Sequence, residues 1–256
     1  MPGHVKRYLN LLQEFTICGF KVRDQGSLLG FVWTLLQPML LLLVLSTLFS
    51  RRLSEDITHP SLYLLIGIVH WSFFSTATTK TVSSIAARGD LIRNVRFPRE
   101  ILVFSDIGTV LVSFLGEMVV LFAFVLVAGV PVRSVWLFLP VIIAMQALFI
   151  AGVGLILACG RVFIRDVERV WTIALRIGFF CVPIFYTTAI LSTSTQRFFF
   201  ECNPLAQIMA FSRSLLIEGT MPSISWVLYV LVFGCVVFAI GLMLFRRLES
   251  RFAETV

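Results

Sequence analysis

"IAARGDLIRNVRFPREIL", residues 85–102, interrupts a chain that is otherwise largely apolar. Four arginines (Arg88, Arg93, Arg96, Arg99) are interleaved with Leu91, Ile92, Val95 and Phe97, and Pro98 breaks the run. The residues on either side carry almost no charge. A basic knot between two apolar stretches is what a loop between membrane spans contains, because cations avoid hydrocarbon and gather on one face of the bilayer. Composition points the same way. Of 256 residues 58% are hydrophobic and 14% charged, whereas a soluble domain keeps about a quarter of its residues charged. The chain lacks the charge to coat a water-facing surface, so bilayer must solvate much of it.

Working outward from the knot, six stretches qualify as spans. Residues 28–49 hold no Asp, Glu, Lys or Arg over 22 positions, against the ~20 that a helix needs to cross. Residues 62–83 form a more polar candidate whose uncharged run stops at Thr79. Residues 101–128 follow, interrupted by Asp106 and Glu117, then 134–160, 170–196 with the single charge Arg176, and 223–245. A seventh apolar stretch, 197–222, is punctuated by Asn203-Pro204, Arg213 and Glu218-Gly219. It reads as a re-entrant or interfacial hairpin of two half-helices in the outer leaflet. The expected fold is one all-α integral membrane domain over residues 1–256. It has six transmembrane helices, an N-terminal interfacial helix within 1–27, and the 197–222 hairpin between helices five and six.

The net charge of +7 suits either nucleic acid or a membrane protein with a basic face, and placement decides. The N-terminal segment holds Lys6, Arg7, Lys21 and Arg23; the knot and its approach hold Lys80 and the four arginines. Arg161, Arg165, Arg169 and Arg176 follow, then Arg246, Arg247 and Arg251, so that sixteen of the 21 basic residues fall on one side of a six-span chain. That side is the cytoplasmic one and holds both termini. The excess is topological, and nucleic acid drops out. The first 27 residues are too charged for a signal-peptide core. Within them Tyr8, Leu11, Leu12, Phe15, Cys18 and Val22 share one helical face, as suits a helix lying in the interface or an ordinary anchor.

Inside the knot, Asp90 is suited to cap a short helix on which Leu91, Ile92 and Val95 share a side. Two readings stand on the residues alone. One is an apolar plug for a partner's cleft; the other is a solvated loop whose arginines only fix topology. Asp106 and Glu117 are costly within a span and face protein or a watery cavity; Glu117 is expected to pair with Arg176. His70 has no second ligand nearby and reads as hydrogen-bonded, and five scattered cysteines read as small hydrophobes, so no metal site is expected. Trp71, Phe73, Phe74, Phe185, Tyr186, Phe198, Phe199 and Phe200 suit an interfacial belt or a surface that stacks on sugars. The chain has no G-x-x-x-x-G-K-[ST] loop, since none of its lysines (Lys6, Lys21, Lys80) follows a glycine. ATP-driven work therefore requires a separate subunit.

"GFVWTLLQPML" (30–40), "HWSFFS" (70–75), "LIRNVRFPREIL" (91–102), "FIRDVERV" (163–170), "PIFY" (183–186) and "NPLAQIMAFSRSLL" (203–216) together resemble one family in order. It is the membrane subunit of type-2 ABC exporters of lipid-linked polysaccharides, the O-antigen and teichoic-acid group, over residue 8 to the C-terminus. The resemblance implies a channel-forming, non-enzymatic subunit of the inner membrane that works as a homodimer with two copies of an ABC ATPase. ATP and Mg would bind that partner, and this chain would hold no cofactor. The substrate would be a polyprenyl-diphosphate-linked glycan. The knot (88–99) would be the coupling helix, with Arg88, Asp90, Leu91, Ile92, Arg93, Val95 and Arg96 at the ATPase contact. Lys21 and Arg23 would meet the lipid diphosphate, which suits their charge. The resemblance also favours a channel-lining role for Tyr186 and its neighbours, whereas Phe198, Phe199 and Phe200 suit an outer seal because apolar constrictions close by dewetting, or else an anchor in the interface. An exporter of drugs or lipids is the alternative. An integral-membrane glycosyl or phosphosugar transferase would need paired carboxylates; Asp166 and Glu168 come closest and, flanked by Arg165 and Arg169, read as an ion-paired loop.

Overall fold

The computed structural model describes residues 2–24, 30–53, 57–95, 97–187 and 200–255. The described chain is helical, in the order α1 (Pro2–Asp24), α2 (Gly30–Leu53), α3 (Pro60–Val82), α4 (Gly89–Asn94), α5 (Glu100–Val127), α6 (Leu139–Phe163), α7 (Val167–Cys181), α8 (Pro204–Arg213) and α9 (Ile224–Thr255). Short 3-10 turns lead into α4 and α6, and a π turn, Ser214–Glu218, continues α8.

Helix α3 is the axle of the bundle, packed against α2, α5, α6, α7 and α8. It is also the most polar of the spans, and the two facts belong together. Its most apolar window is 72% buried, against 22% for that of α9, so its polar side chains meet protein rather than lipid. His70 Nδ1 lies 2.5 Å from Oε1 of Gln146 on α6, and Gln146 Nε2 donates back to the His70 carbonyl at 2.9 Å. Thr78 and Thr81 bond to the carbonyls of Phe74 and Thr78 one turn back. In hydrocarbon such groups are best satisfied internally, and Gln146, Thr78, Thr81 and the Nδ1 side of His70 find their partners within the bundle, while His70 Nε2 is buried without one.

Four helices are long and apolar enough to cross a membrane among the described residues: Pro60–Val82, Glu100–Val127, Ser134–Phe163 and Ile224–Phe252. They match the second, third, fourth and sixth expected spans, with α9 running ten residues past position 245. The count of six is not reached. In the first expected span, α2 is helical over 24 residues, but its described apolar stretch is the shorter Leu36–Phe49. The fifth departs further. Helix α7 stops after 15 residues, about 22 Å at 1.5 Å per residue, short of a ~30 Å hydrocarbon core. The cause is local. Pro183 follows Val182, which is extended at φ −108°, ψ 140°, as the residue before proline must be. Residues 188–196, which end that expected span, and 197–199, which begin the expected hairpin, lie outside the described residues.

Helix α1 does not simply lie apart at an interface; it packs along α5. Its half-buried face is Tyr8, Leu11, Leu12, Phe15, Thr16, Gly19 and Phe20, so the expected apolar face continues through Gly19, while Cys18 is exposed. The approach is close. The Thr109 hydroxyl reaches the Thr16 carbonyl at 3.3 Å, and a Cβ on Gly19 would stand 2.8 Å from that hydroxyl.

Candidate functional site

The residues of the knot converge at one end of the bundle, where α4 is pinned on three sides. Arg88, just before α4, donates through both guanidinium nitrogens to Asp106 of α5, at 2.8 and 2.8 Å, and to the Ser84 carbonyl at 3.1 Å. Lys80 of α3 stands 3.7 Å from the same carboxylate. The Asp106 side chain is 3% exposed, so the acid that interrupts the third span is accounted for by cations rather than by water. That hydrogen bond holds the Arg88 pKa above its ordinary value, against the opposing effect of burial. At the other end of the knot, Phe97 meets Phe15 of α1 with ring centroids 6.0 Å apart. The Arg99 guanidinium donates to the Glu249 carbonyl of α9, and its main-chain N–H to the Glu249 carboxylate at 3.3 Å. Nearby, burial and the Glu100 charge push the Tyr8 phenol up to about 12, with Arg246 pulling the other way.

These anchors turn the apolar side of α4 inward. Ile92 is buried in the main core. Leu91 is half-buried and lines a cavity of about 520 Å³ with Phe15, Cys18, Gly19, Thr76, Lys80, Arg88 and Val110. The exposed surface is Asp90, Arg93, Asn94 and Val95. Of the residues expected at a partner contact, Arg88, Leu91 and Ile92 therefore face the bundle, because a buried carboxylate and a greasy core hold them there. Asp90 is not a side-chain cap either; it sits in the first turn, and Arg88 occupies the cap position without a side-chain bond. Arg96 lies outside the described residues. Lys21 is exposed near the end of α1; the side chain of Arg23 lies outside the described residues.

Away from the knot, the aromatics form a seam. Trp71 meets Phe179 edge-on at 5.8 Å, Phe179 meets Phe185 at 5.9 Å, Phe185 meets Tyr186 at 5.3 Å, and Tyr186 meets Phe200 at 5.6 Å. Phe74 stacks on Phe149 of α6 at 5.8 Å. Phe73 departs from the expectation of a belt or a sugar-stacking surface: it is 1% exposed and stacks on Phe114 of α5 at 4.4 Å. Its position on α3 turns it into the core. Phe198 and Phe199 lie outside the described residues. Glu117 and Arg176 do not meet as expected. Glu117 lies against Ser72 at 3.5 Å and lines a cavity of about 230 Å³ with α2 and α3 residues, whereas Arg176 is exposed on α7. The Asp166–Glu168 loop is ion-paired: Arg161 meets Glu168 at 3.1 Å and Arg169 meets Asp166 at 3.6 Å.

Sequence reasoning took Arg213 only as a charge interrupting the 197–222 stretch and missed its role. Its side chain is buried, donates to the carbonyls of Tyr63, Pro183 and Ile184 at 2.7 to 3.2 Å, and lies 3.4 Å over the Tyr63 ring. Asn203 caps α8 by accepting from the Leu205 N–H at 3.0 Å, with Pro204 in the first turn. The π turn ends at Gly219, left-handed at φ 67°.

Comparison with known proteins fits this architecture. The ABC-2 type transporter family model matches residues 13–217. The chain is 27% identical over 246 residues to the O-antigen export system permease protein RfbA of Klebsiella pneumoniae, covering 96% of this chain and 94% of that protein. It is 28% identical over 252 residues to the RfbA of Myxococcus xanthus, covering 98% and 96%. It is 26% identical over 235 residues to the polysialic acid transport protein KpsM of Escherichia coli, covering 87% of each. A bundle of apolar helices with its basic loop pinned to the third span, matched over most of its length, belongs to the ABC-2 type transporter family.

Proposed function

We propose that this chain is the membrane subunit of an ATP-driven exporter that moves an O-antigen-like polysaccharide, carried on a polyprenyl diphosphate, across the cytoplasmic membrane. It works as a homodimer with two copies of an ABC ATPase, which binds ATP and Mg. Each chain contributes six spans with both termini cytoplasmic. The α2 segment and an α7 segment continued beyond Cys181 complete the four described spans, and 197–222 forms the outer hairpin. The observation that carries the reading is α4. A short helix stands at the basic end of the bundle, clamped to α5 and α9, with Asp90, Arg93, Asn94 and Val95 turned outward. A solvated loop that served only topology would need the charges but not the clamps. The full-length similarity to O-antigen permeases supports the glycan as cargo. Lys21 with Arg23 suits the diphosphate, by charge and by position at the end of α1, and the aromatic seam suits sugar faces.

The test is a pull-down with the partner ABC ATPase, followed by export in cells. Arg93→Glu on α4 with Val95→Asp just past its end changes only exposed side chains, so the subunit should reach the membrane at the parent level. Recovery of the ATPase should fall about tenfold, as expected when a coupling contact of 1–3 kcal/mol is lost. Parent-level recovery together with full export excludes α4 as the docking element.

A further inference from the structure

Asp106 is approached by two cations from different elements, Lys80 on α3 and Arg88 just before α4. Arg88 closes a two-pronged bond on it at 2.8 and 2.8 Å. Lys80 stands 3.7 Å from Oδ1, close enough for an ion pair but beyond hydrogen-bond reach. The carboxylate is 3% exposed, whereas Arg88 is 28% and Lys80 30% exposed. The acid is therefore fixed inside the bundle, and both cations reach it from the wetter side. Lys80 sits near the end of α3, and α3 and α5 pack along one another, so Lys80 and Asp106 keep their relation if the loop shifts. Arg88 travels with α4, which it directly precedes. A buried carboxylate stripped of its cation is strongly disfavoured in a bilayer; one that can pass from one cation to another is not.

We propose that Asp106 is a positioning residue of the transport cycle, latched to α4 through Arg88 in the arrangement seen here and taken over by Lys80 when α4 is drawn outward. This rests on the reading of α4 as the segment that the ATPase moves. The hand-over keeps the buried charge paired in both arrangements. The loop then has two states of similar free energy instead of one deep well, as an element that switches between two arrangements must. The far end of the knot stays tied through Arg99 to Glu249 and through Phe97 to Phe15. An outward pull on α4 therefore pivots about that end and opens at Arg88. Lys80 is already within ion-pair range of Oδ1 at 3.7 Å, so the exchange requires movement of its side chain and not of α3.

The experiment uses the reconstituted complex of this chain with its ATPase, native cysteines replaced and spin labels placed at two exposed positions outside the docking face, Ala87 beside Arg88 and Val119 on α5. In the parent, trapping nucleotide should lengthen the distance between the labels. Lys80→Gln should hold the nucleotide-free distance and lower export about tenfold, while basal ATP hydrolysis stays near the parent value. Lys80→Arg, which can reach the same carboxylate, should restore both movement and export. Asp106→Asn should broaden the distance distribution with and without nucleotide, and ATP hydrolysis should proceed without export. If Lys80→Gln moves and exports like the parent, the hand-over is wrong. A Lys80→Gln defect that Lys80→Arg fails to repair also overturns it, marking a packing role. If the complex forms but the parent distance ignores nucleotide, the coupling reading itself falls and the latch with it.

Discussion

Replacing Gly152 with valine is expected to leave little folded subunit in the membrane. Helices α6 and α9 form the most extensive pairing in the bundle, and at Gly152 their backbones nearly touch. A Cβ there would stand 2.6 Å from the Phe238 nitrogen and 2.7 Å from the Val237 carbonyl carbon. From the other side, a Cβ on Gly241 would stand 2.5 Å from the Gly152 oxygen. These neighbours are main-chain atoms, so no side chain can swing away to make room. Within lipid, little hydrophobic force drives two helices together; close approach and the dispersion contacts it permits do so. Overpacking a core costs about 1–3 kcal/mol when side chains can adjust, and backbone against backbone should reach the top of that range by prying the pair apart. Gly234→Ala on the same interface is the control, because its nearest neighbours would be 3.8 Å away. Thermal unfolding of the purified subunit, followed by size-exclusion recovery, measures the effect. A Gly152→Val protein with the parent midpoint would show that α6 and α9 are not held as close as described.

Much of this architecture was legible because hydrocarbon thickness writes itself into sequence. Residues 101–128 and 134–160 became helices over Glu100–Val127 and Ser134–Phe163, and the stretch from 62 became Pro60–Val82. The most polar span proved the most enclosed, which periodicity cannot reveal: a helix surrounded by helices has no lipid face to read. Direction was the other blind spot. Leu91 and Ile92 share a side of a six-residue helix, and nothing local says whether that side meets the bundle or a partner; Val95, expected on the same side, lies just past the helix end, extended and exposed. A contact eighteen residues away, Arg88 to Asp106, decides it. The signal was present, since an acid in a span demands a partner, but the nearest cations in sequence did not announce which would serve. Glu117 shows the same limit from the other direction. A carboxylate in one span and an arginine in another invite pairing, yet Arg176 is exposed on α7 while Glu117 lies among α2, α3 and α5. The early end of α7 was readable, because Pro183 removes a donor and pushes Val182 out of the helix, but apolarity alone carried the expected span past it.

Arg213→Met should be the second most damaging single change, and its lesion lies at the opposite end of α3 from α4. A guanidinium buried this deeply is tolerated only when its donors are spent. Those of Arg213 go to Tyr63, Pro183 and Ile184, while its flat face covers the Tyr63 ring at 3.4 Å. One side chain thus staples α8 to the start of α3 and to the bend where α7 ends. Methionine has comparable reach and fills the space, but it leaves three buried carbonyls short of a donor, at about 1–3 kcal/mol each. Arg213→Lys should fall between, since an ammonium satisfies fewer of these carbonyls and cannot stack as a plane. The partner lesion is Gly67→Ala on α3, whose Cβ would stand 2.7 Å from Nη2 of Arg213 and 3.3 Å from the Ile184 Cα. Glycine is required there for closeness, not for an unusual backbone angle. If both changes act by dislodging one guanidinium, the double variant Gly67→Ala with Arg213→Met should lose less stability than the two single losses added together, because methionine no longer competes for the space above position 67. Unfolding midpoints of the four proteins give the coupling directly. Strict additivity would separate the two sites and leave Gly67 packing against the Ile184 backbone alone.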